Sequence, residues 1–262
     1  MKNSVCKEIF IRENVLAQIP TCNILGVNIA AINMEWLLEF LVKHIKDLSG
    51  DYITVANVHT TVIASEKIDY QKIQNGGILA IPDGGPLSTL GKKRGYSEMK
   101  RTTGPDLMEK IFEISEKYKY KHYFYGSTED TLKKLEQQLR IKYPGIQITD
   151  MYSPPFHTMT EEENSCVLEK INKSKSDFVW VGLGAPKQEF WMGSHQGKID
   201  GLMIGVGAGF DYHAEKIKRA PLWLQKMNLE WCYRLLQEPK RLFWRYLQTN
   251  TKFIWKVVFC RK

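Results

Sequence analysis

Residues 121–142 read KHYFYGSTEDTLKKLEQQLRIK. His122–Tyr125 is a short apolar and aromatic run ending in Gly126-Ser127, and helical spacing of leucines follows from Thr128 to Lys142. Asp130 with the run TLKKLEQQL reads as the helix start. A strand passing through a glycine turn into a helix is half of a βαβ unit, and the pattern recurs outward in both directions. Ile24–Ile29, Tyr52–Ala56, Ile78–Ile81, Ile146–Thr149, Phe178–Gly182 and Leu202–Val206 are further apolar runs of strand length. Met34–Leu48, Asp106–Tyr118 and Thr160–Ser174 are polar segments with helical spacing between them. Alternation of this kind predicts an α/β fold, a mostly parallel sheet flanked by helices in the Rossmann-like manner. No internal repeat, low-complexity tract or Gly/Ser/Pro linker divides residues 20–210, so one α/β domain is expected there.

The chain has 262 residues, 43% hydrophobic and 25% charged, which excludes long disorder and collagen-like repeats. Its five cysteines are scattered, without a CxxC pair or a His/Cys cluster, so neither a disulfide framework nor a structural zinc site is read. The start, MKNSVCKEIFIREN, has charges where a signal peptide needs its apolar run, and no stretch approaches the ~20 apolar residues of a membrane span. A cytoplasmic-type protein is expected. The formal charge of +8 is unevenly placed. From Lys216 onward, twelve Lys and Arg face only Glu230 and Glu238, which is +10 and leaves −2 for the rest. Trp223, Trp231, Trp244 and Trp255 share that segment. A basic, aromatic tail calls for an anionic partner: nucleic acid, lipid headgroups or a phosphorylated substrate.

In parallel sheets, chemistry collects where strands run into loops at the carboxyl edge. Five strand ends carry unusual residues: Asn57-Val58-His59-Thr60-Thr61, Pro82-Asp83-Gly84-Gly85, Gly126-Ser127, Leu183 to Glu189 (LGAPKQE), and Gly207-Ala208-Gly209-Phe210-Asp211. Asp83 reads either as the aspartate of an Asp-Gly turn or as a lone carboxylate available as a general base. Gly126-Ser127 reads either as a helix cap or as a seat for phosphate or ribose. His59 is a packed or capping histidine or a substrate-facing one, and Arg101 a solvated loop residue or a phosphate partner. No Ser-His-Asp or Cys-His arrangement is readable, and no acidic cluster offers a metal site.

The ordered set NVHT, PDG, RTTGPDL, YGS, GLGAPKQE, GVGAGFD and RAP…LEWCYRLLQEPKR resembles the WecG/TagA/CpsF glycosyltransferases, glycosyltransferase family 26, over about residues 24–246. The resemblance implies an inverting, metal-independent enzyme without a cofactor. It would move a sugar from a UDP-sugar to an undecaprenyl-diphosphate-linked sugar, for teichoic acid or other surface polysaccharide precursors. It implies a catalytic domain over residues 1–214 and a basic helical appendage over 215–262, docked on the inner face of the cell membrane. An anionic membrane surface and self-association are then expected, and nucleic acid is not. By position, Asp83 matches the base, and Arg101, Arg234 and Arg241 match arginines over the diphosphate. Asn57, His59, Gly126, Ser127, Gly184, Lys187, Gln188, Asp211 and Arg245 fall in the substrate-binding motifs. One departure is plain: the family threonine two residues before the asparagine is here Val55, with Thr54 beside it. The alternative of another class is a nucleic-acid-binding module using the basic, aromatic tail.

Overall fold

The computed structural model describes residue 12 and residues 15–259, apart from the side chain of Lys226. Readings made on residues 1–11, 13 and 14, and those on Cys260, Arg261 and Lys262, lie outside the described residues. In chain order the strands are β1 (Thr21–Ile24), β2 (Val27–Ala30), β3 (Tyr52–Ala56), β4 (Leu79–Pro82), β5 (Lys121–Gly126), β6 (Gln147–Tyr152), β7 (Phe178–Gly182) and β8 (Leu202–Gly205). They form one sheet in the order β1-β2-β4-β3-β8-β7-β5-β6. Only β1–β2 is antiparallel; all other neighbours are parallel. Helices Met34–His44, Gly104–Tyr118 and Glu129–Lys142 bury Leu37, Phe112 and Leu135 in one cluster with Phe124 and Trp180. Helices Val58–Glu66, Ile68–Gly76 and Glu161–Ser174 bury Val62, Tyr70 and Val167 in two others. Two layers of helices around a buried parallel sheet make the Rossmann-like α/β fold that the alternation predicts.

Register levels the carboxyl ends. Ala56 lies opposite Pro82, Gly126 opposite Gly182, and Val181 opposite Gly205. The segments after β3, β4, β5, β7 and β8 therefore leave the sheet along one rim.

Several elements differ from the sequence reading. Ile24–Ile29 is not one strand but parts of a hairpin, with Ile24 opposite Val27. Leu25 and Gly26 both have positive φ, 52° and 88°, the backbone of a tight primed turn. An apolar residue in the turn hid it. The helix before Lys142 starts from Thr128, whose side chain accepts from the Thr131 N–H, and not from Asp130. The Met34 helix ends at His44, four residues short of Leu48. Asn57 to Thr61, read as a loop, is the start of helix Val58–Glu66, closed by a reciprocal cap between Asn57 and Thr60. That helix lies between the sheet and the C-terminal helix Pro239–Phe259, so it lacks the one-sided apolar stripe by which helices are read. Helices Ile68–Gly76 and Gly85–Lys93 were likewise absent from the reading.

Behind the rim, His122 is fully buried among Phe112, Phe178 and Trp180. The Trp180 indole N–H donates to Nδ1 at 3.1 Å, which places the ring proton on Nε2, 2.8 Å from Ser115 Oγ. Burial holds its pKa down to about 3. In the unfolded chain the same ring takes up a proton as pH falls through about 6.5. The stability this group carries is thus whole above pH 6.5 and is lost as pH falls, by up to about 1.4 kcal/mol per unit. Between pH 7 and pH 5, chemical denaturation is expected to show His122→Gln losing about 1–2 kcal/mol less than the wild type. Equal losses would reject this account.

Candidate active site at the carboxyl edge

Asp83 leaves the end of β4 with its backbone N–H donating to the Ala56 carbonyl at 2.7 Å. The Thr102 N–H donates to the Pro82 carbonyl at 2.8 Å, which draws the Arg101–Thr103 loop alongside. Arg101 pairs with Glu230, the first residue of helix Glu230–Gln237. Arg219 lies 2.6 Å from Asp106 Oδ1 and 3.6 Å from Glu230 Oε1. One helical turn beyond Glu230, Arg234 stacks on Tyr212, with 5.8 Å from guanidinium carbon to ring centre. The site thus joins the sheet rim to the C-terminal segment.

Burial pushes the Asp83 carboxyl up to about 6; Arg101 and Arg234 pull it back, and Glu230 and Asp106 reinforce the rise. An ordinary aspartate would be a weaker proton acceptor near neutral pH. Asp211 is also raised, by burial first, and it feels Lys216, Arg234 and Arg241. His59 is held down to about 4, by burial and then by Arg245, and its buried Nδ1 has no hydrogen-bond partner. The guanidinium groups are under-bonded: Nε of Arg219, Arg234 and Arg245 is buried without a hydrogen-bond acceptor. Arg241 holds the Glu238 carboxylate at 2.8 Å. Among the described residues no three His, Cys, Asp or Glu side chains converge on a common point.

The remaining sequence candidates stand along the same rim in other roles. The Asn57 side chain accepts from the Thr60 N–H at 3.1 Å as a cap. Gly126 has φ 123°, and a Cβ there would lie 2.6 Å from the Gly182 carbonyl carbon. Ser127 donates its N–H to the Gly182 carbonyl at 3.1 Å, and the helix cap falls to Thr128. Lys187 is exposed. Gln188 is buried: its Oε1 accepts from the N–H groups of Gly184 at 3.2 Å and Gly207 at 3.0 Å, and its Nε2 donates to Glu189 at 2.8 Å. It ties the loops after β7 and β8 together. Val55 packs in one core cluster, while Thr54, on the opposite face of β3, is fully buried with its hydroxyl unpartnered. The hydroxyl is therefore not restored from Thr54 on the Val55 face. Glu230, Arg219, Asp106 and Tyr212 were not singled out from sequence. Glu230, Arg219 and Asp106 stand inside quoted motifs, and being one of two acids in a basic segment was the available signal for Glu230.

The model of the glycosyl transferase WecG/TagA/CpsF family matches residues 22–262. An N-acetylglucosaminyldiphosphoundecaprenol N-acetyl-beta-D-mannosaminyltransferase of Bacillus subtilis (strain 168) is 27% identical over 223 residues, covering 84% of each chain. Its namesake from Bacillus spizizenii is 29% identical over 210 residues, 80% of this chain and 79% of its own. The one from Staphylococcus aureus (strain MW2) is 27% identical over 223 residues, 84% and 86%.

The Gln188 tie is directly testable. Gln188→Ala leaves two loop N–H groups and the Glu189 carboxylate without their partner, which costs about 1–3 kcal/mol for a buried group. The expected result is a lower melting temperature and faster hydrogen exchange at Gly184 and Gly207. Unchanged exchange at both amides would show that the tie holds nothing.

Proposed function

The chain belongs to the WecG/TagA/CpsF family and is a glycosyltransferase, and from that premise we propose its reaction. It moves an N-acetylmannosamine-type sugar, or a related hexose, from a UDP-sugar to undecaprenyl-diphosphate-linked N-acetylglucosamine, with inversion and without a metal. The observation that carries this reading is Asp83, raised to about 6, beside Arg101 and Arg234. The acceptor comes from the names of the relatives, whose substrate is N-acetylglucosaminyldiphosphoundecaprenol.

The acceptor hydroxyl becomes a competent nucleophile as Asp83 takes its proton during attack on the anomeric carbon. The bond to the diphosphate breaks on the opposite face, and the electron pair leaves with UDP. A single carboxylate suffices for inversion. Charge accumulating on the departing diphosphate is met by Arg101, Arg234 and Arg241, and the acceptor-less N–H groups of Arg234 and Arg245 suit further phosphate oxygens. Residues 1–214 form the catalytic part and 215–262 an appendage that supplies arginines. A nucleic-acid-binding module has no use for a carboxylate of raised basicity at a sheet rim.

The appendage also suits a membrane surface at the inner face of the cell membrane. No helix among the described residues is long and apolar enough to cross one. Helix Pro239–Phe259 buries Leu242, Thr249 and Phe253 against the body, whereas Phe243, Trp244, Leu247, Ile254, Trp255 and Val258 are exposed. At about 100° per residue, Phe243, Leu247, Ile254 and Val258 form one stripe, as in helices lying in a lipid interface. Self-association across the same stripe is the competing occupant.

With a UDP-sugar panel and an undecaprenyl-diphosphate-linked N-acetylglucosamine analogue, Asp83→Asn is expected to lower kcat about 10²–10⁴-fold with little change in UDP affinity. Wild-type turnover should fall below pH about 6 as Asp83 takes up its proton, and should be unchanged by EDTA. Near-normal turnover in the variant removes Asp83 from this role, and a rate restored only by Mg²⁺ or Mn²⁺ removes metal independence.

Co-sedimentation with anionic liposomes at low salt should pull down the full chain and not a version ending at Ala214, with binding weakened by salt. Equal binding of both, or of neither, would refute the membrane role. Retention on DNA or RNA in its place would favour the alternative class.

A further inference from the structure

Glu230 places a carboxylate where the reaction above calls for a phosphate. It pairs with Arg101, and the two side chains are only 19% and 16% exposed, so water screens them little. Arg219 approaches the same carboxylate at 3.6 Å. Two guanidinium groups on one anion is the arrangement a diphosphate oxygen would have. Arg219 is held from its other side by Asp106 at 2.6 Å, and its Nη2 is 3.5 Å from Thr103 Oγ1, so it stays with the loop whatever Glu230 does.

We propose that Glu230 is a positioning residue that acts through Arg101. Its carboxylate occupies the Arg101 guanidinium in the resting enzyme, keeps it from pairing with Asp83, and yields it to the diphosphate of the donor. This rests on the reaction reading given above.

The charges around Arg101 favour the exchange. Asp83, Asp106 and Glu230 stand among Arg101, Arg219 and Arg234, the last also 3.8 Å from Glu238. Arg101 and Arg219 are both engaged by carboxylates, so a diphosphate that is to reach Arg101 displaces Glu230, whereas the Nε groups of Arg234 and Arg245 have no hydrogen-bond acceptor. Glu230 is the carboxylate on a separate segment and can turn to Arg219 alone. Asp83 is faced by Arg101, Glu230, Asp106, Arg234 and Tyr212; Glu230 is faced by Arg101, Arg219 and Tyr212. Removing the Glu230 charge takes a repulsion from Asp83 and frees Arg101 toward it. Both changes favour ionised Asp83, so the acid limb of activity moves to lower pH.

The test uses the full chain and UDP as the probe. Glu230→Gln is expected to bind UDP about three- to tenfold more tightly, because nothing charged has to be displaced. Its acid limb in kcat/KM should fall by about half a pH unit or more. Glu230→Asp, which keeps the charge, should restore the wild-type limb. Arg219→Gln removes the second partner of Glu230 and should weaken UDP binding by a similar factor, because Arg101 is then held harder. A purely structural role would move both affinities the same way. Affinities that move together or not at all, or an acid limb unmoved in Glu230→Gln, overturn the proposal while leaving the reaction reading intact. If Glu230→Gln does not fold, Glu230→Ala is read in its place: tighter UDP binding is expected, and unchanged or weaker binding overturns the proposal. Failure of the wild type to bind UDP overturns both readings.

Discussion

Three carboxylates and three guanidinium groups share one corner of this molecule, and none can be removed without leaving a partner exposed to a poorly solvated surrounding. Asp106 and Arg101 come from the loop and helix after Asp83, while Glu230, Arg219 and Arg234 come from the C-terminal segment. Breaking a buried ion pair by deleting one member costs far more than the pair itself contributes, because the survivor keeps its desolvation penalty. The consequence is architectural. The C-terminal segment is bound to the rim by the same groups that would handle an anionic substrate, so docking and chemistry share their charges. A ligand that competes for those charges acts on the attachment as well.

The rim itself follows from strand register. Because β3 and β4 end level, the Asp83 N–H reaches the Ala56 carbonyl and the carboxylate stands beside the cap of helix Val58–Glu66. Because β5 and β7 approach through Gly126 and Gly182, their main chains come close together, and the Phe210 ring packs directly on Gly182. Gln188 then closes the next gap by binding the loops after β7 and β8 through a single amide oxygen. Main-chain contacts and one amide make a rigid floor, whereas the cations above it stand on long side chains from a separate segment. That division would suit the proposed reaction, in which a base is held in place and the partners of a diphosphate rearrange.

Much of this was legible in the sequence. Strand and helix alternation is a property of local periodicity, and the five strand-end loops carry residues that packing alone does not call for. What escaped was non-local. Leu25 reads as part of a strand because its side chain is apolar, and only its φ of 52° makes it a turn. Helix Val58–Glu66 was missed because the C-terminal helix covers its outer face, which erases the periodic signal. Gln188 could be picked out by its motif, but its burial and two loop contacts depend on β7 and β8 being neighbours. Glu230 was visible as one of two acids among twelve bases; its partner is 129 residues away in the chain, beyond the reach of any spacing rule.

Helix Pro239–Phe259 shows how one element can serve two environments. Its inner stripe, Leu242, Thr249 and Phe253, lies at about 80–120° on a wheel where Arg241 marks 0°, while the exposed apolar stripe lies at about 200–260°. Arg241 and Arg245 stand on the other flank of the inner stripe and act on Asp211 and His59 of the body. Arg245 thus faces inward, Arg241 is exposed and paired with Glu238 at 2.8 Å, and Lys252 is held by Glu66 at 2.9 Å. The exposed apolar stripe, Phe243, Leu247, Ile254 and Val258, with Trp244 and Trp255, faces away from the body. The inner face packs on helix Val58–Glu66, whose first residues carry His59 and whose cap is Asn57. The exposed stripe and the rim are in this way joined through one helix–helix contact.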